Sequence, residues 1–461
     1  MPLPTIDLAG PTYRRDLGDG LVLRWSSLDD AEAVAAVVSD VFGAEGKPSE
    51  AERKLVLETF RPEYPHGGPT DWAVVEDTAS RQLVAATALM SQTWSYDGIP
   101  LAVGRPEQVV TRAPYRRRGL IRAIFDLLHA RSAARGQLMQ VIDGIPYFYR
   151  QLGYEYALDV YGGPRVYWSA IDAGATKEAA EPYRLRDATP EDIPLLTRLY
   201  AREQADSLVS VVVGDDYWRW TLGGQDHTAE HGWRPLVIVD SHDGTPIGHV
   251  VLRDGYQWAD ANALAIPSLS VEQGVPLRAV MPSVLRALKR RLPTLSPRMT
   301  GDPPLRVLFV MGRHHPVYDA LDQDLLSPGR RPYAWYVRVP DLAALVRHVA
   351  PALERRLAAS HFAQQSLTQQ VSFYRGMLTL RIQDGSLAEV DEQTDRRNMG
   401  PGETSGAGAG MPRDLFVQLL LGYRPIDPLR DAHPDVLASD ESMDLLRVLF
   451  PKRMSRPLLV N

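Results

Sequence analysis

Residues 107–154 read EQVVTRAPYRRRGLIRAIFDLLHARSAARGQLMQVIDGIPYFYRQLGY, and this stretch decides the fold. Glu107–Thr111 is predicted to be a strand, and the basic turn Arg116–Gly119 follows it. Apolar residues at helical spacing then predict a helix that starts at Leu120 and ends at Gly136. A second short apolar strand, Leu138–Ile142, leads into an aromatic segment. The order is strand, basic turn, helix, strand.

The basic turn has the chemistry of an anion site. A helix N-terminus offers unpaired N–H groups and the positive end of the helix dipole. Gly119 has no Cβ, so an anion can approach the backbone closely. Three preceding arginines add positive charge. The turn therefore indicates a phosphate-bearing ligand, although a solvated basic helix start would show the same residues.

The turn and the aromatic segment together resemble the acetyl-CoA-binding core of GNAT-family N-acyltransferases. That family has an Arg/Gln-x-x-Gly-x-Gly/Ala loop that holds the pyrophosphate of coenzyme A. The corresponding residues here are Arg116, Arg117, Arg118, Gly119, Leu120 and Ile121. Ile121 replaces the usual small residue, as in the mycobacterial enhanced-intracellular-survival (Eis) branch. The family's Tyr-x-x-x-Gly-Phe/Tyr element is similar to Tyr149–Tyr154.

Composition sets bounds on the class of protein. At 461 residues, the chain is expected to form two to four domains. Its 44% hydrophobic and 23% charged residues are typical of a soluble globular protein, and a net charge of -6 argues against a general nucleic-acid binder. With no cysteine, disulfides and thiolate chemistry are excluded. We expect no signal peptide, no membrane span and a cytoplasmic location.

The organisation of the chain predicts an α+β / α/β fold with two GNAT-like mixed-sheet domains in tandem and a third α+β domain. Residues 1–170 are predicted to be the catalytic domain, because their β-α-α-β-β-β-α-β order is the one that the GNAT fold requires. Residues 183–339 repeat its strand-then-helix opening. Residues 340–461 resemble the sterol-carrier-protein-like C-terminal domain of the Eis family.

The second copy is expected to have lost the chemistry. Where the first copy has RRRG before its helix, the second has only Gly274 and Arg278 around the equivalent turn. A single glycine and a single arginine do not make the same anion site. Tyr318 stands at roughly the place that Tyr149 occupies in the first copy.

Tyr149 is the candidate general acid, since the resemblance implies that it protonates the departing coenzyme A thiolate. A phenol is protonated at neutral pH, as this role requires. The alternative is a buried core tyrosine, because aromatic residues surround Tyr149.

Three groups remain open as the base. Glu107 lies on the strand before the turn, and alternation predicts that it shares a face with Val109 and Thr111. The resemblance to Eis enzymes implies instead a C-terminal carboxylate, here that of Asn461. Asp143 is the third option.

The strand before the turn is expected to contact the cosubstrate. The backbone of Val109, Val110 and Thr111 would face the pantetheine amides, and one N–H there could polarise the thioester carbonyl. Arg122, one turn into the helix, either reaches the phosphates or is solvated.

The interpretation that follows from the resemblance is an N-acetyltransferase. It would move an acetyl group from acetyl-CoA to a primary amine by direct attack in a ternary complex, with no metal. The acceptor would be a small-molecule or peptide amine, and the protein a possible homo-oligomer without nucleic-acid or membrane partners. A non-catalytic acyl-CoA or apolar-ligand binding protein is the alternative. Acidic residues near the first helices could line a pocket for a polycation, or could equally be solvated: Asp29, Asp30, Glu45, Glu50 and Glu52.

Overall fold

The structure is a computed structural model that describes residues 7–44, 46–172, 181–225, 232–253, 263–292, 304–394 and 408–458. Its strands are β1 (Arg14–Gly18), β2 (Leu21–Trp25), β3 (Trp72–Asp77), β4 (Gln82–Tyr96), β5 (Ile99–Thr111), β6 (Met139–Ile142), β7 (Glu155–Val160), β8 (Gly163–Tyr167), β9 (Tyr183–Asp187), β10 (Val209–Val211), β11 (Trp233–Asp240), β12 (Pro246–Arg253), β13 (Ala263–Val271), β14 (Arg306–Phe309), β15 (Leu326–Arg330), β16 (Tyr333–Arg338), β17 (Leu367–Ser372), β18 (Gly376–Gln383), β19 (Ser386–Thr394), β20 (Gly408–Gly410) and β21 (Leu437–Ala438).

The helices alternate with these strands. They are α1 (Ala31–Phe42), α2 (Glu50–Thr59), α3 (Leu120–Ala134), α4 (Ile193–Gln204), α5 (Asp215–Arg219), α6 (Leu277–Arg291), α7 (Pro316–Ala320), α8 (Leu342–Ala358), α9 (Arg413–Leu420), α10 (Ile426–Ala432) and α11 (Asp440–Leu449). None of the helices in the described ranges is long and apolar enough to cross a bilayer. The mixed sheets and helices confirm the predicted α+β class.

The first sheet has helices on both faces. Its strand order is β1-β2-β3-β4-β5-β6-β16-β7, and β10 adds to β4. Apolar residues of α3, including Ile124 and Phe125, are fully buried against one face, and residues of α1, such as Val34 and Val38, are buried against the other. The predicted β-α-α-β-β-β-α-β order of this half is confirmed, and β1 adds a strand before it.

Two strands change places between the two halves of the chain. β16 comes from the second half, yet it pairs with β6 through Val337 and Val141 and also with β7. β8 comes from the first half, yet it pairs with β14 through Val166 and Val307 and with β15. The predicted boundaries at residues 170 and 339 therefore do not separate the sheets. The first sheet holds β10 and β16 from the second half, and the second sheet holds β8 from the first half.

The second sheet repeats the plan of the first. Its order is β15-β8-β14-β13-β12-β11-β9, with the exchanged strand β8 at the position that β16 holds in the first sheet. α6 supplies buried apolar residues to this sheet, as α3 does to the first.

A shared local motif also relates the two halves. Arg24 donates to both carboxylate oxygens of Asp30 at 2.8 and 2.7 Å, and Asp30 accepts from the N–H of Ser27. In the second half, Arg186 donates to both oxygens of Asp192 at 2.6 and 2.7 Å, and Asp192 accepts from the N–H of Thr189. Both motifs fix the start of the first helix of their half.

The third region packs on the first sheet. Its own sheet has the order β19-β18-β17-β20-β21, and a turn at Asp384–Gly385, both with positive φ, joins β18 to β19. The hydroxyl of Tyr96 donates to the carbonyl of Leu420 at 2.8 Å, and Arg356 pairs with Asp97 at 2.9 Å. One hydrophobic core therefore runs from β4 into α8 and α9.

Candidate active site

The cleft lies where β5 and β6 separate. These parallel strands pair only at Val103–Met139 and Gly104–Gln140. From Arg105 onward, β5 keeps its pairing with β4 but has no strand partner on its other edge within the described residues. Unpaired backbone groups of an edge strand can bind an extended ligand. Val109, Val110 and Thr111 all lie on this free edge.

A bulge in β5 turns Glu107 to the other face. Gln108 has φ +56°, and the pairing with β4 shifts by one residue there. As a result Glu107 lies opposite Ala88, which packs with α1 and α2, whereas Val109 packs on the α3 side. The expectation that Glu107 shares a face with Val109 and Thr111 is therefore wrong, because strict alternation ends at a bulge.

The basic turn is exposed to solvent, and residues with positive φ alternate with others along its backbone. Arg117 has φ +64° and Gly119 has φ +75°, and Arg116 to Gly119 are all exposed. Successive N–H groups in such alternating conformations form a concave anion site. The first backbone bond of α3 runs from Ala123 to Gly119, and no side chain caps the helix. The earlier N–H groups of the helix therefore remain available to a ligand.

The arginines of the turn have different partners. Arg116 donates to the carbonyl of Thr111 at 3.2 Å, and Arg118 lies over the ring of Tyr115 at 5.2 Å. Arg122 is exposed and reaches the carbonyl of Gln151 at 3.5 Å. Leu120 is buried and Ile121 half-buried, so these two residues offer backbone groups to the turn and side chains to the core.

Tyr149 is held by a cage of aromatic rings. Its ring lies 5.4 Å from Tyr336 and 6.0 Å from Phe125, and only 4% of the residue is exposed. Burial, followed by the charges of Glu107 and Asp143, raises the pKa of Tyr149 well above its usual range. The phenol is therefore protonated at neutral pH, as the role of a general acid requires.

Glu107 carries a charge partner that the sequence did not reveal. Its carboxylate pairs with the guanidinium of Arg105, which is fully buried. Burial raises the pKa of Glu107, and the attraction of Arg105 only partly offsets this effect. A carboxylate with a raised pKa is a better proton acceptor than an ordinary surface glutamate.

Asp143 closes the far end of the cleft. It follows β6 and accepts a hydrogen bond from the hydroxyl of Tyr161 at 3.1 Å. Its charge contributes to raising the pKa of both Glu107 and Tyr149. Two of the three candidate bases and the candidate acid are thus brought together at one place.

Asn461 lies outside the described residues, so its role stays a prediction. The chain before it runs inward: Leu458 is buried, and the carbonyl of Pro457 accepts from the indole N–H of Trp335 at 3.0 Å. The guanidinium of Arg105 lies 5.4 Å from the ring of the same tryptophan.

Sequence reasoning missed the residues that support the site from a distance. Arg105 lacked a signal, because a buried arginine in a strand looks like any exposed one. Tyr333 and Tyr336 come from the exchanged strand β16 and donate to the carbonyls of Gly144 and Ile145. Within the described ranges, no cluster of three or more histidine, aspartate or glutamate side chains is arranged to hold a metal ion.

Comparison with known sequences agrees with this geometry. Residues 23–157 match the family described as an acetyltransferase (GNAT) domain, which covers the cleft, the basic turn and Tyr149. No curated protein matches the chain.

Solved structures share the whole architecture. A probable N-acyltransferase from Enterococcus faecalis is 14% identical, with a TM-score of 0.62 over 96% of this chain and 98% of its own. A GCN5-related N-acetyltransferase from Anabaena variabilis is 11% identical, with a TM-score of 0.63 over 95% and 99%. Eis1 from Mycobacterium abscessus is 14% identical, with a TM-score of 0.56 over 95% and 100%. Residues 23–157 are therefore an acetyltransferase domain of the GNAT kind, and the protein is an acyltransferase.

Proposed function

We propose that the protein transfers an acetyl group from acetyl-CoA to a primary amine by direct attack within a ternary complex. One combination of features carries the proposal: β5 has an unpaired edge beyond Gly104, the turn before α3 is exposed, and the charge of Glu107 acts on Tyr149.

Binding of the cosubstrate is assigned to backbone groups. The N–H groups of Gly119, Leu120 and Ile121, with the charges of Arg116, Arg117 and Arg118, would hold the pyrophosphate. The free edge of β5 at Val109, Val110 and Thr111 would pair with the pantetheine amides, as an added strand does.

Glu107 is the proposed base, and Asp143 is the second candidate. The attacking amine must lose a proton, and a carboxylate of raised pKa accepts it without a large energetic mismatch. As the new amide bond forms and the carbon–sulfur bond breaks, the sulfur leaves as a thiolate. Tyr149 donates its phenolic proton to that sulfur and regains one from solvent afterwards.

The second half is proposed to be a non-catalytic copy of the first. Tyr318, at the place of Tyr149, donates its hydroxyl hydrogen to the carbonyl of Gly312 at 2.8 Å, so that proton is already committed. The turn before α6 holds Glu272, which pairs with Arg198 and repels anions. We further propose that the third region is a sterol-carrier-like domain and that the chain forms homo-oligomers, both by similarity to Eis proteins.

Free-thiol release from acetyl-CoA tests the proposal. The chain has no cysteine, so a thiol reagent detects only the product. The acceptors would be aminoglycosides, polyamines, lysine peptides and small aromatic amines. Release that requires an acceptor supports the acetyltransferase. Acetyl-CoA binding without release for any acceptor favours the non-catalytic binding protein.

A further inference from the structure

A cavity of about 500 Å³ lies where the two sheets and the third region meet. Its walls are the end of β7 with Tyr161 (residues 158–161), the segment after β14 at residues 310–314, the α9–α10 link at residues 421–424, and residues 452–458. Pockets of a few hundred Å³ hold drug-sized ligands. The cavity is therefore large enough for part of an acceptor molecule.

The cavity is strongly basic. Its lining in the described chain includes Asp159 as the one carboxylate, against five basic side chains: Arg313, Arg424, Lys452, Arg453 and Arg456. Arg313 lies 3.5 Å from Asp159, and Arg453 pairs with Asp97 outside the cavity. The other three cations keep their charge uncompensated by any carboxylate at ion-pair distance in the described residues.

Within the part of the chain that the structure describes, the side-chain hydrogen bonds of those three cations go to backbone carbonyls. The ammonium of Lys452 donates to Tyr423 at 2.9 Å, and Arg424 stacks 4.0 Å from the ring of Tyr423. Arg456 is buried, donates to the carbonyl of Glu203 at 2.8 Å, and leaves its Nε without a partner in the described chain. A buried guanidinium N–H that lacks an acceptor is costly unless a ligand supplies one.

The cavity adjoins the catalytic cleft through one side chain. Tyr161 lines the cavity, and its hydroxyl donates to Asp143 at 3.1 Å. Asp143 in turn acts on the pKa of Glu107 and Tyr149. An acceptor amine at Asp143 is therefore only one side chain, that of Tyr161, away from the basic cavity.

From this arrangement we infer that the natural acceptor is an amine that also carries an anionic group, a carboxylate or a phosphate, seated against Arg424, Lys452 and Arg456. This inference rests on the proposed acetyltransferase function and names its substrate class. Like charges repel, so the same cavity disfavours polycations, in contrast to the pocket that acidic residues near the first helices could form. Of those acidic residues, Asp30 is bound by Arg24 and Glu52 by Gln108, and Glu45 lies outside the described residues.

The test compares acceptors that differ only in one charge. Thiol release is measured with short lysine peptides as the free C-terminal acid and as the C-terminal amide. Ethanolamine against phosphoethanolamine tests the phosphate source, and spermidine represents polycations. We expect kcat/KM to be about tenfold or more higher for at least one anionic acceptor than for its counterpart without the anionic group. This preference should shrink at high salt.

Substitutions in the cavity then show which side chains produce the preference for anionic acceptors. Arg424→Gln and Lys452→Gln should each reduce, about three- to tenfold, the ratio of kcat/KM for the anionic acceptor to that for its counterpart without the anionic group. Arg424→Lys should retain most of it, and Arg381→Gln, a solvent-exposed arginine on β18, should retain all of it. Thermal unfolding midpoints close to that of the parent would show that the variants fold.

The outcomes separate the two proposals. Three results would overturn the inference: equal kcat/KM for both members of each acceptor pair, a preference for spermidine, or a preference that neither cavity variant changes. In each case the observed turnover would still support the acetyltransferase. Turnover with none of these amines, nor with the aminoglycosides and aromatic amines named above, would overturn both together.

Discussion

At the scale of single residues, a substitution of Tyr149 tests the proposed protonation of the thiolate most directly. Tyr149→Phe keeps the ring inside its aromatic cage and removes only the proton donor, so kcat should fall about 10²-fold or more. Thiol release measures the change. Tyr154→Phe is the matched control: Tyr154 is also buried in the cage and its hydroxyl contacts His129 instead, so turnover should persist. Unchanged turnover in Tyr149→Phe would show that another group protonates the thiolate.

The pH profile reports on Glu107. With an aromatic amine that is already neutral, kcat/KM should fall as pH drops through the raised pKa of Glu107, because the protonated carboxyl accepts no proton. Glu107→Gln should lower kcat/KM about 10²-fold or more and remove this acidic limb. Glu76→Gln, which also breaks an arginine pair, is the control. An acidic limb that survives in Glu107→Gln would point to Asp143.

The sequence predicts roles for these residues, and those roles stay predictions, whereas their surroundings could not be predicted. The spacing from Arg116 to Tyr154 was enough to select Tyr149 and the turn. The buried partner Arg105 could not be predicted, because an ion pair within a strand depends on what covers it. The predicted orientation of Glu107 was wrong for a related reason. Gln108 adopts φ +56° although it is neither the glycine nor the asparagine that usually marks such a position.

At the scale of elements, the two ends of α3 allow a controlled experiment on cosubstrate binding. Gly119 at its start and Gly136 beyond its end both have positive φ, and a Cβ at either position would meet no atom within 4 Å. Gly119→Ala and Gly136→Ala should therefore cost similar stability, about 1 kcal/mol each. Only Gly119→Ala should raise the KM for acetyl-CoA, several-fold, because its methyl group enters the anion site. An equal rise in both variants would place the pyrophosphate elsewhere.

Elements with a strong local pattern were predicted well. α3 and β6 were placed within about two residues, because their apolar residues and the flanking Gly136 agree. β5 begins eight residues earlier than predicted, at Ile99, since Pro100 and Pro106 obscure the strand pattern.

At the scale of the whole molecule, engineered cysteines test the strand exchange. The parent chain has none, so any disulfide comes from the introduced pair. Val141→Cys with Val337→Cys, and Val166→Cys with Val307→Cys, join directly opposed residues and should both oxidise. Val141→Cys with Val166→Cys should remain reduced. Oxidation of this last pair in the monomer would mean that each half keeps its own strand.

The exchange itself had no signal in the sequence. Val141 and Val337 are far apart in the chain, and a buried strand carries no mark of which sheet it will join. Its apolar residues suit either sheet, so the choice depends on the connections and on the complete core. This is why the predicted domain boundaries fell between elements that the structure interleaves.

The exchanged strand also sets the order in which the chain can mature during synthesis. β7 leaves the ribosome with the gap beside β6 still unfilled, and β16 follows about 170 residues later. At translation rates of about 5–20 residues per second, the nascent first sheet waits roughly ten to thirty seconds with two apolar strand edges uncovered. Chaperones that bind exposed strand edges therefore have a defined interval in which to act on this protein.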